Sequence, residues 1–177
     1  MRVLVTGGAG YIGSHTCKAL AEQGHAVTVY DNLCAGHREL LRWGAFEHGD
    51  IRDGQRLRAV LRRHRPDGVI HFASHIAVGE SVREPGKYYD NNVTGSLRLM
   101  EALRDEGVHR LVVSGTAAVY GLPEAVPIGE GSVAAPINPY GRTKLVMEWM
   151  LADFAAAHGL EWISLRYFNA AGADPDG

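Results

Sequence analysis

Strand-like and helix-like segments alternate along this chain, which limits the folds it can adopt. Short runs rich in β-branched residues predict strands at Val3–Thr6, Ala26–Tyr30, Gly68–Phe72, Leu111–Ser114 and Trp162–Leu165, with a weaker one at Ala45–His48. Segments with helical periodicity separate them, at Ile12–Gln23, Gln55–His64, Tyr88–Glu106 and Pro139–His158. This order predicts an α/β protein with a Rossmann-type, doubly wound parallel sheet and helices on both faces.

The composition is that of an ordinary globular protein. The chain has 177 residues, 46% of them hydrophobic, and a net charge of −2, which suits one domain with a sizeable core. It has no apolar run of membrane-spanning length, and its N-terminus becomes glycine-rich too early for a signal peptide. Cys17 and Cys34 lack metal-ligand spacing, so we expect no metal site and two buried thiols in a reducing cytoplasm.

One basic segment needs a separate explanation. Arginines cluster between positions 56 and 65, in the second predicted helix. No aromatic residues are interleaved with them, and the net charge of the chain is slightly negative. We therefore expect a solvated helix face and no nucleic-acid partner.

A glycine-rich turn follows the first predicted strand and leads into the first helix. Its glycines are Gly7, Gly10 and Gly13. Glycine at such positions allows a tight turn, close approach of the backbone to a pyrophosphate, and close helix–strand packing. The positive helix N-terminus would then face the phosphates. A turn that binds nothing is the alternative, but the position of this one favours a dinucleotide.

Acidic residues at the next two strand ends extend this prediction. Asp31 ends the second strand, where a carboxylate can bind the ribose hydroxyls of the adenosine half. Its charge would repel a 2′-phosphate, which favours NAD over NADP. Asp50 and Ile51 follow the third strand and could contact the adenine. An ordinary turn is an equally open interpretation of Asp50.

A tyrosine and a lysine share the start of the last predicted helix. Asn138 can cap this helix and Pro139 suits its first position, so Tyr140 lies in the first turn. Lys144 follows one turn later on the same face. An ammonium and a helix N-terminus both lower a phenol pKa from about 10, which would make Tyr140 a base. A solvated helix face is the alternative.

Together, these motifs resemble the UDP-glucose 4-epimerases of the extended short-chain dehydrogenase/reductase family. The resemblance covers essentially the whole chain. The matching segments, in order, are Thr6–Gly13, Asp31-Asn32, Gly49–Asp53, His71–Ala73, Val78–Ser81, Tyr89–Val93, Thr116–Gly121, Tyr140 with Lys144, and Arg166–Asn169.

The resemblance implies a tightly held NAD and a transient oxidation at C4 of a UDP-hexose, with a UDP-sugar as the binding partner. Tyr140 would take the 4-hydroxyl proton, Lys144 would hold the nicotinamide ribose and lower the Tyr140 pKa, and Thr116 would hydrogen-bond the reacting oxygen. The implied cofactor residues are Gly7, Gly10, Tyr11, Ile12, Gly13, Asp31, Asn32, Asp50, Ile51, Phe72, Ala73, Ser74, Asn91, Ser114, Tyr140, Lys144 and Tyr167. The implied substrate residues are Thr116, Tyr140, Phe168 and Asn169.

Residues next to Thr116 separate epimerisation from a related reaction. Sugar-nucleotide 4,6-dehydratases place Asp-Glu directly after this threonine, as an added acid and base. Here Ala117 and Ala118 follow it, and neither can transfer a proton. The sequence therefore favours oxidation and reduction at C4 without elimination.

The chain departs from the family in two ways. Ile76 stands where many relatives have lysine, so one polar contact is in doubt. Family members are also longer and continue into a smaller domain that holds UDP. We therefore expect residues 1–177 to be an NAD-binding domain with the substrate domain largely missing, as a fragment or a naturally short protein. NAD binding without turnover is the alternative function. Family members usually dimerise through helices equivalent to Tyr88–Glu106 and Pro139–His158, so a homodimer is possible.

Overall fold

Parallel strands form the centre of the molecule. The computed structural model describes residues 1–174, and within them the sheet order is β3-β2-β1-β4-β5-β6, with every neighbouring pair parallel. The strands are β1 Arg2–Thr6, β2 Ala26–Asp31, β3 Ala45–His48, β4 Gly68–His71, β5 Arg110–Ser114 and β6 Glu161–Leu165. This topology confirms the predicted Rossmann-type sheet.

Helices cover both faces of the sheet, as predicted. They are α1 Tyr11–Glu22, α2 Gly54–His64, α3 Val78–Arg83, α4 Pro85–Tyr88, α5 Ser96–Asp105 and α6 Pro139–His158. One face packs α1 against β1 and β2 through a cluster that includes Val5, Cys17 and Val29. Cys17 is therefore buried as expected, whereas Cys34 is exposed, so the expectation of a buried thiol is wrong there. The other face packs α2, α5 and α6 around a larger core that includes Leu57 and Leu103. No helix in residues 1–174 is long and apolar enough to cross a membrane.

The helix predicted at Tyr88–Glu106 is confirmed, but it begins at Pro85 and includes a π-helical segment that the sequence did not indicate. A π-helical segment, Tyr89–Gly95, separates α4 from α5 and turns Asn91 and Asn92 into the interior. Helical periodicity does not reveal a π turn, because the change in hydrogen bonding leaves the polar and apolar pattern nearly intact. The sequence prediction also missed α3, whose six residues are too few to display a helical period.

Two predicted features of the helix ends and loops are confirmed. The Asn138 side chain accepts a hydrogen bond from the Gly141 backbone N–H at 2.8 Å, so it caps α6, with Pro139 in the first turn. The arginines of α2 are paired with acids: Arg56 and Arg63 both contact the buried carboxylate of Glu47. The Arg62 and Arg63 side chains remain 68% and 64% exposed, which supports the prediction of a solvated helix face.

A buried polar chain crosses the sheet beneath the strand ends. Ser96 Oγ donates to the Asn92 carbonyl at 2.6 Å, so it must accept from His71 Nε2, 3.0 Å away. His71 Nδ1 then accepts from Thr6 Oγ1 at 2.7 Å. This arrangement fixes one neutral tautomer of His71 and ties β1, β4 and the π segment together.

We predict that His71 makes stability depend on acidity. Burial, and then the charge of Lys144, lowers the His71 pKa from 6.5 to about 3. Below pH 6.5, His71 is protonated in the unfolded chain but stays neutral in the native state. The free energy of unfolding therefore falls with decreasing pH, by up to about 1.4 kcal/mol per pH unit. Urea unfolding between pH 6.5 and 5 should show this slope, and His71→Gln should reduce it. His158→Gln, at an exposed histidine, should keep it. Equal slopes in the two variants would contradict the prediction.

Candidate active site

A cleft opens at the carboxyl ends of the strands, where the strand order reverses between β1 and β4. This is the position at which doubly wound sheets bind ligands. Its volume, about 590 Å³, is typical of a small-molecule site. The structure brings all but two of the predicted site residues to its lining: Gly7, Gly10, Tyr11, Ile12, Gly13, Asp31, Asn32, Ile51, Phe72, Ala73, Ser74, Asn91, Ser114, Thr116, Tyr140, Tyr167, Phe168 and Asn169. The two exceptions are Asp50 and Lys144.

Two glycines of the first turn have no room for a side chain. Gly7 has φ +73°, and a Cβ on it would lie 2.6 Å from the Ala73 nitrogen. A Cβ on Gly13 would lie 2.2 Å from the Gly7 carbonyl oxygen. The turn is therefore pressed against both β4 and the start of α1, and its bare backbone forms the floor of the cleft. Such a surface suits a pyrophosphate at a helix N-terminus.

Asp31 is buried at the end of β2 and holds the glycine turn in place. Its Oδ2 accepts from the Ala9 N–H at 3.0 Å, and its Oδ1 accepts from the Leu33 N–H at 2.8 Å. Each carboxylate oxygen has a second lone pair. The side chain can therefore brace the turn and still accept hydrogen bonds from a ligand in the cleft.

The side chain of Asp50 does not reach the cleft lining. Its two oxygens accept hydrogen bonds from the Arg52 guanidinium at 2.9 and 2.7 Å, and Oδ2 also accepts from Asn32 Nδ2 at 2.9 Å. The Arg52 guanidinium is the main cause that holds the Asp50 pKa well below its usual range. This geometry favours the turn interpretation of Asp50, while its neighbour Ile51 does line the cleft.

Lys144 lies behind the lining rather than in it. Its side chain is almost fully buried, and its Nζ donates to Ser74 Oγ and to the Ser114 carbonyl, both at 2.8 Å. An ammonium has three protons, so one donor remains beyond these two bonds. Burial lowers the Lys144 pKa from 10.5 to about 7, and the Glu148 carboxylate acts in the opposite direction.

The structure contradicts one expectation about Tyr140. Burial raises the pKa of this phenol, although contact with the Thr116 side chain opposes the rise. We expected a lowered pKa because Lys144 is one turn away. The ammonium points instead to Ser74 and Ser114, so its nearness along the helix does not offset the loss of solvation around the phenol.

The segment after β6 closes one end of the cleft. The Tyr167 hydroxyl makes a short hydrogen bond with Ser114 Oγ, and its carbonyl accepts from the Ala117 N–H at 3.0 Å. Phe168 and Asn169 follow at the rim, where Phe168 is 71% exposed. Tyr167 is thus tied to the end of β5 and to the residue after Thr116, while Phe168 and Asn169 only line the rim.

The sequence analysis missed several lining residues. They are Tyr30, Cys34, Ala35, Gly36, Gly49, His75, Val78 and Ala170, together with Ile76, Ala117 and Ala118, which it had singled out for other reasons. For Gly36, the glycine itself is the sequence signal. A Cβ there would lie 2.7 Å from the Ala9 Cβ, because the loop after β2 folds over the glycine turn. Within residues 1–174, no group of three or more His, Cys, Asp or Glu residues could hold a metal ion.

Comparison with known proteins decides the family. The model of the NAD dependent epimerase/dehydratase family matches residues 3–177. The chain belongs to this family. It is 55% identical over 175 residues to the UDP-glucose 4-epimerase of Rhizobium meliloti (strain 1021), covering 99% of the chain and 53% of that protein. It is 52% identical over 177 residues to that of Halalkalibacterium halodurans, covering 100% of the chain and 53% of the relative.

Solved structures of epimerases share the fold closely. The crystal structure of UDP-glucose 4-epimerase from Brucella ovis in complex with NAD superimposes with a TM-score of 0.98 at 55% identity, covering 99% of this chain and 54% of that one. The enzyme from Stenotrophomonas maltophila, with bound NAD and formylated UDP-arabinopyranose, gives 0.96 at 44% identity, covering 99% and 55%. The chain spans about half the length of the curated relatives it matches.

We predict that Gly13→Ala in this epimerase/dehydratase fold lowers the free energy of unfolding by about 2 kcal/mol, because the added methyl overlaps the Gly7 carbonyl. Urea unfolding measures the change. Gly86→Ala in α4 is the control, since a Cβ there meets nothing within 4 Å. An equal effect of the two substitutions would show that the turn relaxes freely.

Proposed function

We propose that this chain carries the NAD-binding and catalytic part of an epimerase acting at C4 of a UDP-hexose, such as UDP-glucose or UDP-galactose. The observation that carries the proposal is the convergence of Tyr140, Thr116 and Lys144 around one end of a cleft. The other end of the same cleft holds the glycine turn and Asp31. A redox-active dinucleotide and a sugar hydroxyl would meet between them.

The residues of the cleft fit NAD. Gly7 and Gly13 offer a backbone surface that any side chain would block, and the start of α1 stabilises phosphate charge. Asp31 would bind the adenosine ribose hydroxyls. The third N–H of the Lys144 ammonium would donate a hydrogen bond to the nicotinamide ribose. When bound, NAD supplies the oxidant for C4 and a positive charge in the cleft.

The chemistry of the protein is then proton transfer and orientation. Tyr140 would remove the proton from the 4-hydroxyl and would later return a proton to the same oxygen. The inversion comes from the 4-keto sugar turning over in the site, so that C4 would receive hydride back on its other face. Thr116 hydrogen-bonds the same oxygen and holds it in line with the phenol. Burial disfavours phenolate in the structure described here. Cofactor charge and the Lys144 ammonium must therefore outweigh that cost before Tyr140 can act as a base.

The acid and the base that a dehydratase needs are missing from the two positions after Thr116. Ala117 and Ala118 line the cleft directly after Thr116 and offer no acid or base for elimination across C5 and C6. NAD binding without turnover remains as the second function. Incubating the 177-residue chain with UDP-galactose and analysing the products separates the three. UDP-glucose supports epimerisation, a 4-keto-6-deoxy sugar supports the dehydratase, and no product with NAD bound supports the second function.

We predict that the chain binds NAD more tightly than NADP, because the Asp31 carboxylate repels a 2′-phosphate. Asp31→Asn removes the charge but keeps an acceptor, so it should reduce the NAD/NADP affinity ratio about tenfold, or about 1.4 kcal/mol. Calorimetric titration measures both affinities. Asp153→Asn, at an exposed position on α6, should leave the ratio unchanged. Absence of both bound NAD(H) and NAD affinity in the purified protein would reject the proposal.

We predict that Tyr140→Phe abolishes epimerisation and largely spares NAD binding, because it deletes one hydroxyl and keeps the ring. The loss should be at least 100-fold in kcat. The assay is conversion of UDP-galactose, paired with an NAD titration of the same variant. Tyr89→Phe, an exposed tyrosine near the start of the π segment, is the control. A near-wild-type rate in Tyr140→Phe, within a full-length context, would place the base elsewhere.

The proposal extends to the domain organisation, the cellular compartment and the oligomeric state of the protein. We propose that residues 1–177 act as one NAD-binding domain in the cytoplasm, where Cys17 and Cys34 would stay reduced. A homodimer through α5 and α6 is supported by the exposed Trp149 on α6. We expect no nucleic-acid partner, since several α2 arginines are already paired with acids. Sedimentation measures the oligomeric state, and loss of dimerisation in Trp149→Gln would support this interface.

A further inference from the structure

A buried ion pair joins the last helix to the segment that closes the cleft. Glu148 lies on α6, one turn after Lys144, and only 6% of it is exposed. Its Oε1 accepts from Arg166 Nε at 2.9 Å and from Ser164 Oγ at 2.8 Å, and its Oε2 accepts from Arg166 Nη2. Two parallel N–H bonds from a guanidinium to a carboxylate fix the orientation of both groups.

The same guanidinium reaches a third part of the site. Arg166 Nη1 donates to the Tyr120 hydroxyl at 3.0 Å. Tyr120 ends the short helix that begins after Thr116. The residue after Arg166 is Tyr167, whose hydrogen bonds to Ser114 and Ala117 set the end of the cleft. Arg166 thus links α6, the Thr116 turn and the Tyr167 segment.

Glu148 and Lys144 are four residues apart on α6, so they lie on the same face of that helix. The titratable groups around Tyr140 and Lys144 are His71 from β4, Tyr88 from α4, Glu148 from α6 itself, and Tyr167 from the segment after β6. His71 is neutral at pH 7, and a neutral phenol carries no charge. Glu148 is therefore the group in this set whose charge favours the ammonium of Lys144.

We propose that Glu148 is a positioning residue of this site. Through Arg166 it holds Tyr167 beside Ser114 and Ala117, and from its place one turn after Lys144 on α6 its carboxylate favours the ammonium form of that lysine. The two effects come from one carboxylate, so the geometry of the closing segment and the charge of the lysine are set together. The functional consequence rests on the proposed NAD-dependent function, but the effect on Lys144 does not.

The test uses the low lysine content of the chain. Its three lysines are Lys18, Lys87 and Lys144, so ¹³C-labelled lysine gives a simple NMR titration. We expect Lys144 to titrate near its lowered pKa of about 7 in the wild type. Glu148→Gln should lower this pKa by about one further unit. Glu161→Gln, on β6, breaks an exposed pair with Arg110 of β5 and should leave the Lys144 pKa unchanged. An unchanged Lys144 pKa in Glu148→Gln overturns the proposal.

A pair of variants separates charge from position. Glu148→Asp keeps the carboxylate but shortens its reach to Arg166, so the Lys144 pKa should stay near that of the wild type. NAD affinity should still fall at least threefold, because Tyr167 is displaced. In Glu148→Gln the affinity should fall too, and the pH above which NAD binding weakens should move down with the Lys144 pKa. Unchanged NAD affinity in both variants, with only lower thermal stability, would show that the pair is purely structural and overturn the proposal.

The Glu148 proposal can still be tested if the wild type binds no NAD or if Glu148→Gln does not fold. If the wild type binds no NAD, the proposed function fails, and the lysine titration still decides whether Glu148 controls Lys144. If Glu148→Gln does not fold, Arg166→Gln replaces it, since Arg166 is partly exposed. That variant leaves the Glu148 carboxylate without its cation, so the Lys144 pKa should rise. A fall or no change in Arg166→Gln overturns the proposal.

Discussion

The close approach of β1 to β4 at their carboxyl ends is the constraint on which the site depends. The backbone of Gly7 lies so near Phe72 and Ala73 that a Cβ would overlap both. This contact forces the chain to leave β1 through a glycine turn and lets α1 start directly above the sheet. It also brings the residues after β4, including Ser74, within reach of Lys144 on α6.

Below that contact, buried polar side chains hydrogen-bond the strand ends to one another and to α6. His71 cannot take a proton without losing the hydrogen bond from Thr6, and Asn92 joins the loop after β4 to α6 through His75 and Thr143. A polar network of this kind is stabilising only when each member has its partner. It therefore specifies one relative position for the strand ends and the helix that bears Tyr140.

The sequence predicted the parts of this structure that follow from local patterns. Strand periodicity, the glycine spacing and the Asn138-Pro139 helix start depend on residues close together in the chain, so they could be located without coordinates. The π segment at Tyr89–Gly95 could not, because its residues Asn92 and Gly95 meet Thr143 and Ile51, which are distant in sequence. The direction of the Lys144 side chain was likewise set by Ser74, which is distant in sequence.

The wrong prediction of a lowered Tyr140 pKa shows that burial opposes ionisation of this phenol. Helical spacing suggested that Lys144 would lower the phenol pKa, but burial raises it. The same burial lowers the Lys144 pKa, so both groups are held closer to their neutral forms. Under the function proposed above, Tyr140 would stay protonated until additional positive charge enters the cleft. The proton transfer would then depend on cofactor binding, which would prevent the tyrosine from reacting before the oxidant is in place.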